Sequence, residues 1–477
     1  MRRAPLLSLV AAALTALLLL PAPASAQAPA PAPILIPPPA APPPAPTPAP
    51  TPAAPAPEPR ERTVLRQLAA LRDAGLIAVA AHDRARDRYA AARATRTRLA
   101  GRRRAELTAV LKTLEAVTRR GELSSTRVPL AFETLERNRQ WWTTGPLLGY
   151  GARVGFRGSE LIWQSYPGQG IQVQWLGTFG KANALFTGRT YDARLRALLG
   201  EALALGAVRA DGIAFESWFT FDGGRPPWVS ALSQGTGLQA LSRAGVRLAD
   251  SRYLGAARAA LGIFRTAPPE GVRVATPAGA HYLQYSFAPR LRIVNGFVQA
   301  LNGLHDFGAL ANDAEGRALF AAGDAQLRVE LPQADTGAWS RYSIGGRESD
   351  LGYHRLLRDF LRGLCERTGE ALYCDTAARF TADLTRPPVL AIVPPAAPAR
   401  KGRSAGVAFT LDKVSRVSLV ATRDGKLVYA RTVRFARGRH AFALGRLRKA
   451  GDLVLRLRAV DAAGNAGAVA GRLAVRG

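Results

Sequence analysis

Cysteine is almost absent: the chain of 477 residues has two, Cys365 and Cys374. That is too few for a disulfide-dense scaffold, and neither has the spacing or the His/Asp company of a metal site. The pair reads either as a disulfide stapling a short helix–loop–helix or as two buried thiols. Methionine occurs once, and lysine is scarce beside arginine, a composition typical of a high-GC bacterial source. Carboxylates are in short supply, 35 Asp and Glu against 65 Lys and Arg, giving a net charge of +30. Such an excess attracts polyanions. Nucleic acid, anionic wall polymers, anionic lipid and acidic polysaccharide all fit the sign, and so does a non-specific solvated surface. Long apolar runs are missing too, except for Leu6 to Leu20.

That run follows Arg2 and Arg3 and precedes the small residues Ala22-Pro-Ala-Ser-Ala26. The pattern is that of a signal peptide over 1–26, with an N-terminal membrane anchor as the alternative. It places the rest outside the cytoplasm, secreted or attached to the cell wall, where nucleic acid is not an expected partner. Residues 27–59 are mostly Pro and Ala and cannot build a core, so they read as an extended linker.

From 60 to 120 the texture is helical and basic, with sixteen basic and six acidic residues. Leu65, Leu68, Leu71, Leu76 and Ile77, then Leu107, Leu111, Leu114 and Val117, recur at helical spacing. The segment is either one long helix or a hairpin broken near Asp73-Ala-Gly75. It either clamps a polyanion or packs through its leucine stripe behind a solvated face, and the second reading is preferred. A transitional stretch, 121–164, carries Trp141, Trp142 and short strands. Residues 165–387 show amphipathic helices near 170–187, 190–206, 228–245, 250–264, 288–310, 312–329, 349–367 and 371–384. Short β-like pieces interrupt them at 212–221 and 272–285. Helix pairs joined by aromatic, Gly-rich loops suggest an incomplete α/α toroid with its loops around one cleft. Beyond Thr385-Arg-Pro-Pro388, alternating runs at 407–411, 414–422, 427–435, 440–444 and 453–460 predict an immunoglobulin-like β-sandwich over 388–477. It has eighteen basic and four acidic residues and no catalytic constellation, so it is expected to be an accessory module with its own core. The fold class expected is therefore multidomain: an N-terminal long helical segment, a mainly α central domain and a C-terminal all-β sandwich.

The chemistry-bearing motifs lie in the central segment. They are Trp228-Val-Ser-Ala-Leu-Ser-Gln234-Gly235; Tyr285-Ser-Phe-Ala-Pro289 followed by Ile293-Val-Asn295-Gly-Phe297 and Leu301-Asn-Gly-Leu-His-Asp306; Leu331-Pro-x-x-Asp-Thr-Gly337 with Tyr342 beyond it; and Tyr353-His354. In this order they resemble the C-terminal domain of D-glucuronyl C5-epimerases. The resemblance implies a fold of paired helices, no cofactor, an anionic polysaccharide (uronan) or cell-wall polymer as partner, and three catalytic tyrosines at Tyr285, Tyr342 and Tyr353. It also implies substrate contacts at Trp228, Gln234 and Asn295. One position departs. Where the family has Glu-Tyr, this chain has Gln284-Tyr285, so a carboxylate is replaced by a neutral amide.

The residue types suit the reaction. Inverting C5 of a uronic acid removes a weakly acidic proton beside the carboxylate and returns one from the opposite face. Two acid/base groups must flank the ring, and cations must steady the developing charge. Tyrosines can serve if nearby arginines lower their pKa. Arg290, Arg292, Arg341 and Arg347 are the candidates by proximity, each of them also readable as an ordinary surface residue. Glu216 and His354 are the candidates for the missing acid/base role, with Asp222 a further carboxylate. Trp218 and Trp228 are either sugar-stacking or core residues, and His305 is a packing histidine by default. Tyr166-Pro-Gly168, Gly177, Lys181 and Asn183 are either a cleft rim or ordinary turn chemistry. No Ser/His/Asp arrangement, Gly-rich phosphate loop or metal cluster is visible, so no metal is expected. The alternatives to an epimerase are a polysaccharide lyase using the same proton abstraction and a non-catalytic wall or polysaccharide-binding protein. The sequence leaves the oligomeric state open.

Overall fold

The computed structural model describes residues 60–188 and 191–477. The expected signal peptide and Pro/Ala linker lie outside the described residues. Two compact units are present. One comprises residues up to Val229 together with Arg247–Ala249, and the other comprises Ser230–Val246 and Asp250–Gly477. This division falls inside the 165–387 segment that the sequence suggested as one domain.

In the first unit the basic segment forms three helices, α1 (Arg60–Asp73), α2 (Val79–Arg98) and α3 (Gly101–Arg119), followed by α4 (Val128–Thr144). The breaks fall at Gly75 and Gly101, both at positive φ, where a residue without Cβ is favoured. Leu68 and Leu71 of α1 and Leu107, Leu111, Leu114 and Val117 of α3 are buried, so these members of the stripe form a packing face, whereas Leu65 and Ile77 are half-buried and Leu76, between α1 and α2, is exposed. Next comes a three-stranded antiparallel sheet, β1 (Arg153–Val154), β2 (Trp163–Tyr166) and β3 (Gly170–Val173). Glu106 of α3 accepts hydrogen bonds from the amides of Gly168 and Gly170, and Asn138 of α4 brackets Ile171. Tyr166-Pro-Gly168 is therefore a hairpin turn clamped by the helical layer. Helices α5 (Trp175–Thr187) and α6 (Asp192–Ala204) and the hairpin β4 (Ala207–Arg209) and β5 (Gly212–Ala214) complete the unit. The residues before α5 pair as a strand, so this helix starts later than its apolar pattern suggested.

The second unit begins with α7 (Ala231–Arg247), α8 (Ser251–Ala259) and α9 (Gly262–Arg265), then the hairpin β6 (Arg273–Ala275) and β7 (Ala280–Tyr282). Helices α10 (Val294–Leu310), α11 (Ala314–Ala334), α12 (Leu351–Thr368) and α13 (Ala371–Asp383) follow. Glycines explain two of the motifs. A Cβ on Gly303 would lie 2.0 Å from the Gly235 carbonyl oxygen, and one on Gly235 would lie 2.6 Å from the Ala300 Cα. Helices α7 and α10 thus cross with their backbones in contact, which only glycine permits. Asp306 is the polar rivet of the same layer. Its carboxylate accepts from Gln239, Arg243 and Arg367. Burial alone would raise its pKa, but the nearby His305 ring and the hydrogen bonds from Arg367 outweigh it and hold the carboxyl well below its ordinary range. Cys365 of α12 and Cys374 of α13 are joined by a disulfide. Among the described residues no helix is long and apolar enough to cross a membrane.

The C-terminal part is strand-rich. Strands β8 (Leu390–Val393), β9 (Ala399–Arg400), β10 (Ser404–Leu411), β11 (Ser415–Arg423), β12 (Lys426–Phe435), β13 (Gly438–Arg446), β14 (Leu453–Asp461), β15 (Ala466–Leu473) and β16 (Val475–Arg476) form a sheet ordered β13-β10-β8, a sheet ordered β12-β11-β14-β15, and a small β16-β9 pair. The two larger sheets share one core that includes Phe409, Leu419, Phe442, Leu455 and Leu457. The expected core is present, but the strand-rich part is not merely tethered. Lys413, between β10 and β11, is fully buried, pairs with Asp461 at 2.7 Å and donates to the Asp383 carbonyl of α13. Glu348, ahead of α12, accepts the amides of Val414 and Arg437. Asn465 donates to the Leu384 carbonyl. The strands are keyed into the helices by buried polar contacts.

Candidate active site

Three separate chain segments of the second unit bring Tyr285, Tyr342 and Tyr353 together. Tyr285 follows β7. Tyr342 lies between α11 and α12, where its carbonyl accepts the Val294 amide at 3.2 Å, and Ile344 N–H donates to the Arg292 carbonyl. The first free N–H of α10 is thereby satisfied by the backbone of the segment that carries Tyr342. Tyr353 sits in the first turn of α12, where its amide donates to the Asp350 side chain at 2.8 Å, a helix N-cap that fixes its position. The Tyr342 and Tyr353 rings are 4.7 Å apart between centroids. The phenols of Tyr285 and Tyr353 both lie close enough to Tyr342 to act on its ionisation. Burial first, then the two neighbouring phenols, push its ionisation well above the ordinary tyrosine value. The sequence suggested arginines lowering tyrosine pKa values, and for Tyr342 the direction is the opposite. Tyr353 is 38% exposed, so the string runs from the interior to solvent.

The inner end of the string is set by Gln284. Its Nε2 donates to the Tyr285 hydroxyl at 2.9 Å, and its Oε1 is buried without a partner. A Cβ on Gly296 would lie 2.5 Å from that oxygen, so the amide rests on the first turn of α10. Asn295 beside it accepts the Gly296 N–H through its Oδ1 and leaves a buried Nδ2 unpartnered. Phe287 stacks on Tyr285 at 5.3 Å. It also lines a groove of about 490 Å³ with Pro268, Pro269, Arg273, Ser286 and Pro289.

The arginines divide into two groups. Arg290 and Arg347 are exposed and have no ion pair among the described residues. Arg341 is half-buried and donates to the Gly346 carbonyl. Arg292 is bound to Glu330 at 2.7 Å. Glu330, missed in the sequence, is buried and also accepts from Gln326 and contacts His281 Nδ1 at 2.7 Å. The pair lies next to two motifs, on β7 just before Gln284 and on α11 just before Leu331-Pro332. Its only sequence signal is a charged residue on an otherwise buried stripe.

The two candidates for a substitute acid or base are occupied elsewhere. His354 is fully buried and stacks on Trp339 at 3.7 Å. Its Nε2 lies 2.9 Å from the Phe380 carbonyl and its Nδ1 lies 3.2 Å from the Ser340 amide. A carbonyl only accepts and an amide only donates, so the proton is on Nε2 and the ring is neutral. Burial lowers its pKa to about 4. His354 is thus a packing residue rather than an acid/base group. Glu216, in the first unit, has both oxygens taken by Arg127 (2.9 and 2.7 Å) and Arg209 (2.9 Å), which makes it a structural anchor. Trp228, in the same unit, is buried with its indole N–H on the Phe219 carbonyl. Gln234 is buried on the Ala260 carbonyl. These two residues serve packing rather than substrate contact. Among the described residues no group of His, Cys, Asp and Glu could hold a metal ion.

Residues 212–382 match the family model described as D-glucuronyl C5-epimerase C-terminus. A D-glucuronyl C5-epimerase of Caenorhabditis elegans is 33% identical over 132 residues, covering 25% of this chain and 21% of that protein. An uncharacterized protein of Methanocaldococcus jannaschii is 28% identical over 151 residues, covering 31% of this chain and 49% of that one. The chain thus spans about a fifth and about half of the length of these relatives. An engineered protein of known crystal structure is 12% identical, with 59% of this chain and 69% of that one covered, but its TM-score of 0.15 carries no argument.

Proposed function

Starting from a segment, residues 212–382, that belongs with the D-glucuronyl C5-epimerase C-terminal family, we propose that the protein inverts C5 of hexuronic residues in an anionic polysaccharide. The observation that carries this reading is the string Tyr285–Tyr342–Tyr353 with the Gln284 amide donating into its inner end. A phenolate takes the C5 proton, and the C–H electron pair moves into the carboxylate as an enediolate. A phenol on the other face returns a proton to C5. Tyr342, whose ionisation burial and the two neighbouring phenols oppose, stands between the other two and passes protons between them. The Gln284 N–H favours the ionised form of Tyr285, because donation to a phenolate oxygen stabilises its charge. An amide at this position therefore serves the chemistry without being the base. The exposed Arg290 and Arg347 neutralise the substrate carboxylate as charge grows on it. The groove beside Phe287 receives the neighbouring sugar. We further read the helix pairs as part of an incomplete α/α toroid, the C-terminal strands as immunoglobulin-like, and the chain as secreted.

The replacement of the family's Glu by Gln284 favours a second reading, a domain that binds uronans without turning them over. Incubation with heparosan-type polymers in heavy water separates the readings. Deuterium at C5 without new unsaturation supports epimerisation. Ultraviolet-absorbing unsaturated ends mean a lyase. Neither signal, with binding retained, means binding alone.

A further inference from the structure

The outward face of the β12-β11-β14-β15 sheet carries Arg434, Arg416, Arg458, Arg456 and Arg472, all exposed. The register places them on one surface. Arg416 is directly opposite Arg434 on β12, and Ser418 is opposite Arg458 on β14. Val420 is opposite Arg456, while Arg472 on β15 faces Val454, the next outward residue along β14 from Arg456. Neighbouring strands are about 4.8 Å apart and alternate residues about 6.8 Å apart along a strand, so the guanidiniums form a continuous band. No Asp or Glu occupies an outward position in these rows. None of the five arginines has an ion pair among the described residues, although the chain pairs many arginines elsewhere. Like charges directly opposite in a sheet are destabilising. Arg416 and Arg434 stand in that relation with no carboxylate to relieve it, and a polyanion lying across the strands removes the repulsion.

We propose that this face is a second polysaccharide-binding site, outside the candidate active site, that takes the carboxylate-bearing chain of an acidic polysaccharide. The identity of the polymer rests on the uronan reading above. The surface between the arginines suits a sugar chain better than other polyanions. It is built of short side chains, Ala430, Ala468, Ala470, Val420 and the hydrogen-bonded hydroxyls of Ser418 and Thr432. It offers no aromatic ring on which a nucleobase could stack. It also offers no protruding helix for a major groove. Arginine binds carboxylates through paired N–H donors, which gives a flat face both affinity and orientation.

The test uses the full chain and a variant with Arg416→Gln, Arg434→Gln, Arg456→Gln, Arg458→Gln and Arg472→Gln. A control of equal charge change carries Arg84→Gln, Arg98→Gln, Lys112→Gln, Arg119→Gln and Arg225→Gln. Affinity is measured for heparosan, double-stranded DNA and phosphatidylserine vesicles, and C5 exchange is measured on short heparosan oligosaccharides. The expected result is at least a tenfold loss of heparosan affinity in the face variant and less than threefold in the control, with exchange on short oligosaccharides unchanged. Equal losses in both variants would overturn the proposal, since net charge alone would then explain retention. A face-specific loss confined to DNA or to vesicles would also overturn it. A face-specific loss of heparosan binding in a protein that shows no C5 exchange would sustain this site while removing the proposed activity.

Discussion

The Lys413 ammonium lies over the Trp339 ring, 5.4 Å from its centroid, and that ring stacks at 3.7 Å on His354, the neighbour of Tyr353. A side chain of the strand-rich part is therefore two contacts away from the tyrosine string. Lys413 is fully buried, with its charge matched by Asp461, whose pKa is lowered because contacts from Lys413 and Asn465 overcome the raising effect of burial. Removing one partner of such a pair leaves an uncompensated buried charge and costs about 3–5 kcal/mol. Lys413→Met should lower the thermal midpoint sharply, and adding Asp461→Leu should recover part of the loss. Truncation at 388 should likewise destabilise the helices and reduce C5 exchange. A truncated protein with unchanged midpoint and unchanged exchange would return the strands to the status of an independent accessory.

The crossing of α7 and α10 depends on glycine. Gly303→Ala drives a Cβ into the Gly235 carbonyl and should destabilise by about 1–3 kcal/mol or more, as overpacking does. Gly200→Ala, on the exposed side of α6 with nothing within 4 Å, should instead stabilise by about 0.5–1 kcal/mol through helix propensity. Parallel denaturant titrations check both. Equal effects at the two positions would show that the close approach is not what Gly303 provides.

Apolar spacing made the helices of the second unit and most C-terminal strands legible, because each buries one face at a fixed period. Strand β15 escaped: Ala466 to Ala470 alternate Ala, Gly and Val, too small to register as an apolar run. The start of α10 was placed too early because Ala288, Leu291 and Ile293 extend the apolar spacing backward, yet residues 288–293 form a loop whose end pairs with the segment of Tyr342 and Ser343. At the site, motif order pointed to the tyrosines, but no local pattern reveals that Glu216 is consumed by Arg127 and Arg209, which lie 89 and 7 residues away. His354 likewise looked like chemistry beside Tyr353 because successive helix residues point to different faces. Tyr353 faces outward while His354 turns into the core.

That burial predicts a pH effect. The His354 pKa is lowered to about 4, against about 6.5 in an unfolded chain. Between these values the unfolded state holds the proton and the folded state does not, so stability rises with pH across the window. The contribution is fully present above about pH 6.5, is lost as pH falls toward 4, and amounts to roughly 3 kcal/mol. Wild-type stability measured from pH 7.5 to 4.5 should show this slope. His354→Asn should be less stable at neutral pH and lack the His354 share of the slope. A variant whose stability still falls as steeply would assign the effect to other groups.

The hydrogen bond from Gln284 Nε2 to the Tyr285 hydroxyl at 2.9 Å decides how the departure from the family pattern should behave. In the wild type the amide donates, which favours the Tyr285 phenolate. In Gln284→Glu the carboxylate can only accept, so it holds the phenol proton and adds a like charge that opposes ionisation. It would also be steadied by the first turn of α10, since Gly296 brings that backbone against it. If Tyr285 acts as a base in the present arrangement, Gln284→Glu should slow C5 exchange by about tenfold or more and move its pH profile upward by about one unit. Tyr342→Phe, which removes the middle hydroxyl of the string, should slow it by about a hundredfold with polymer binding retained. An increase in exchange on introducing the carboxylate would mean that Gln284 marks a lost base and that the wild-type cleft chiefly binds. Exchange undiminished in Tyr285→Phe, Tyr342→Phe and Tyr353→Phe alike would leave the tyrosines as lining and remove the mechanism.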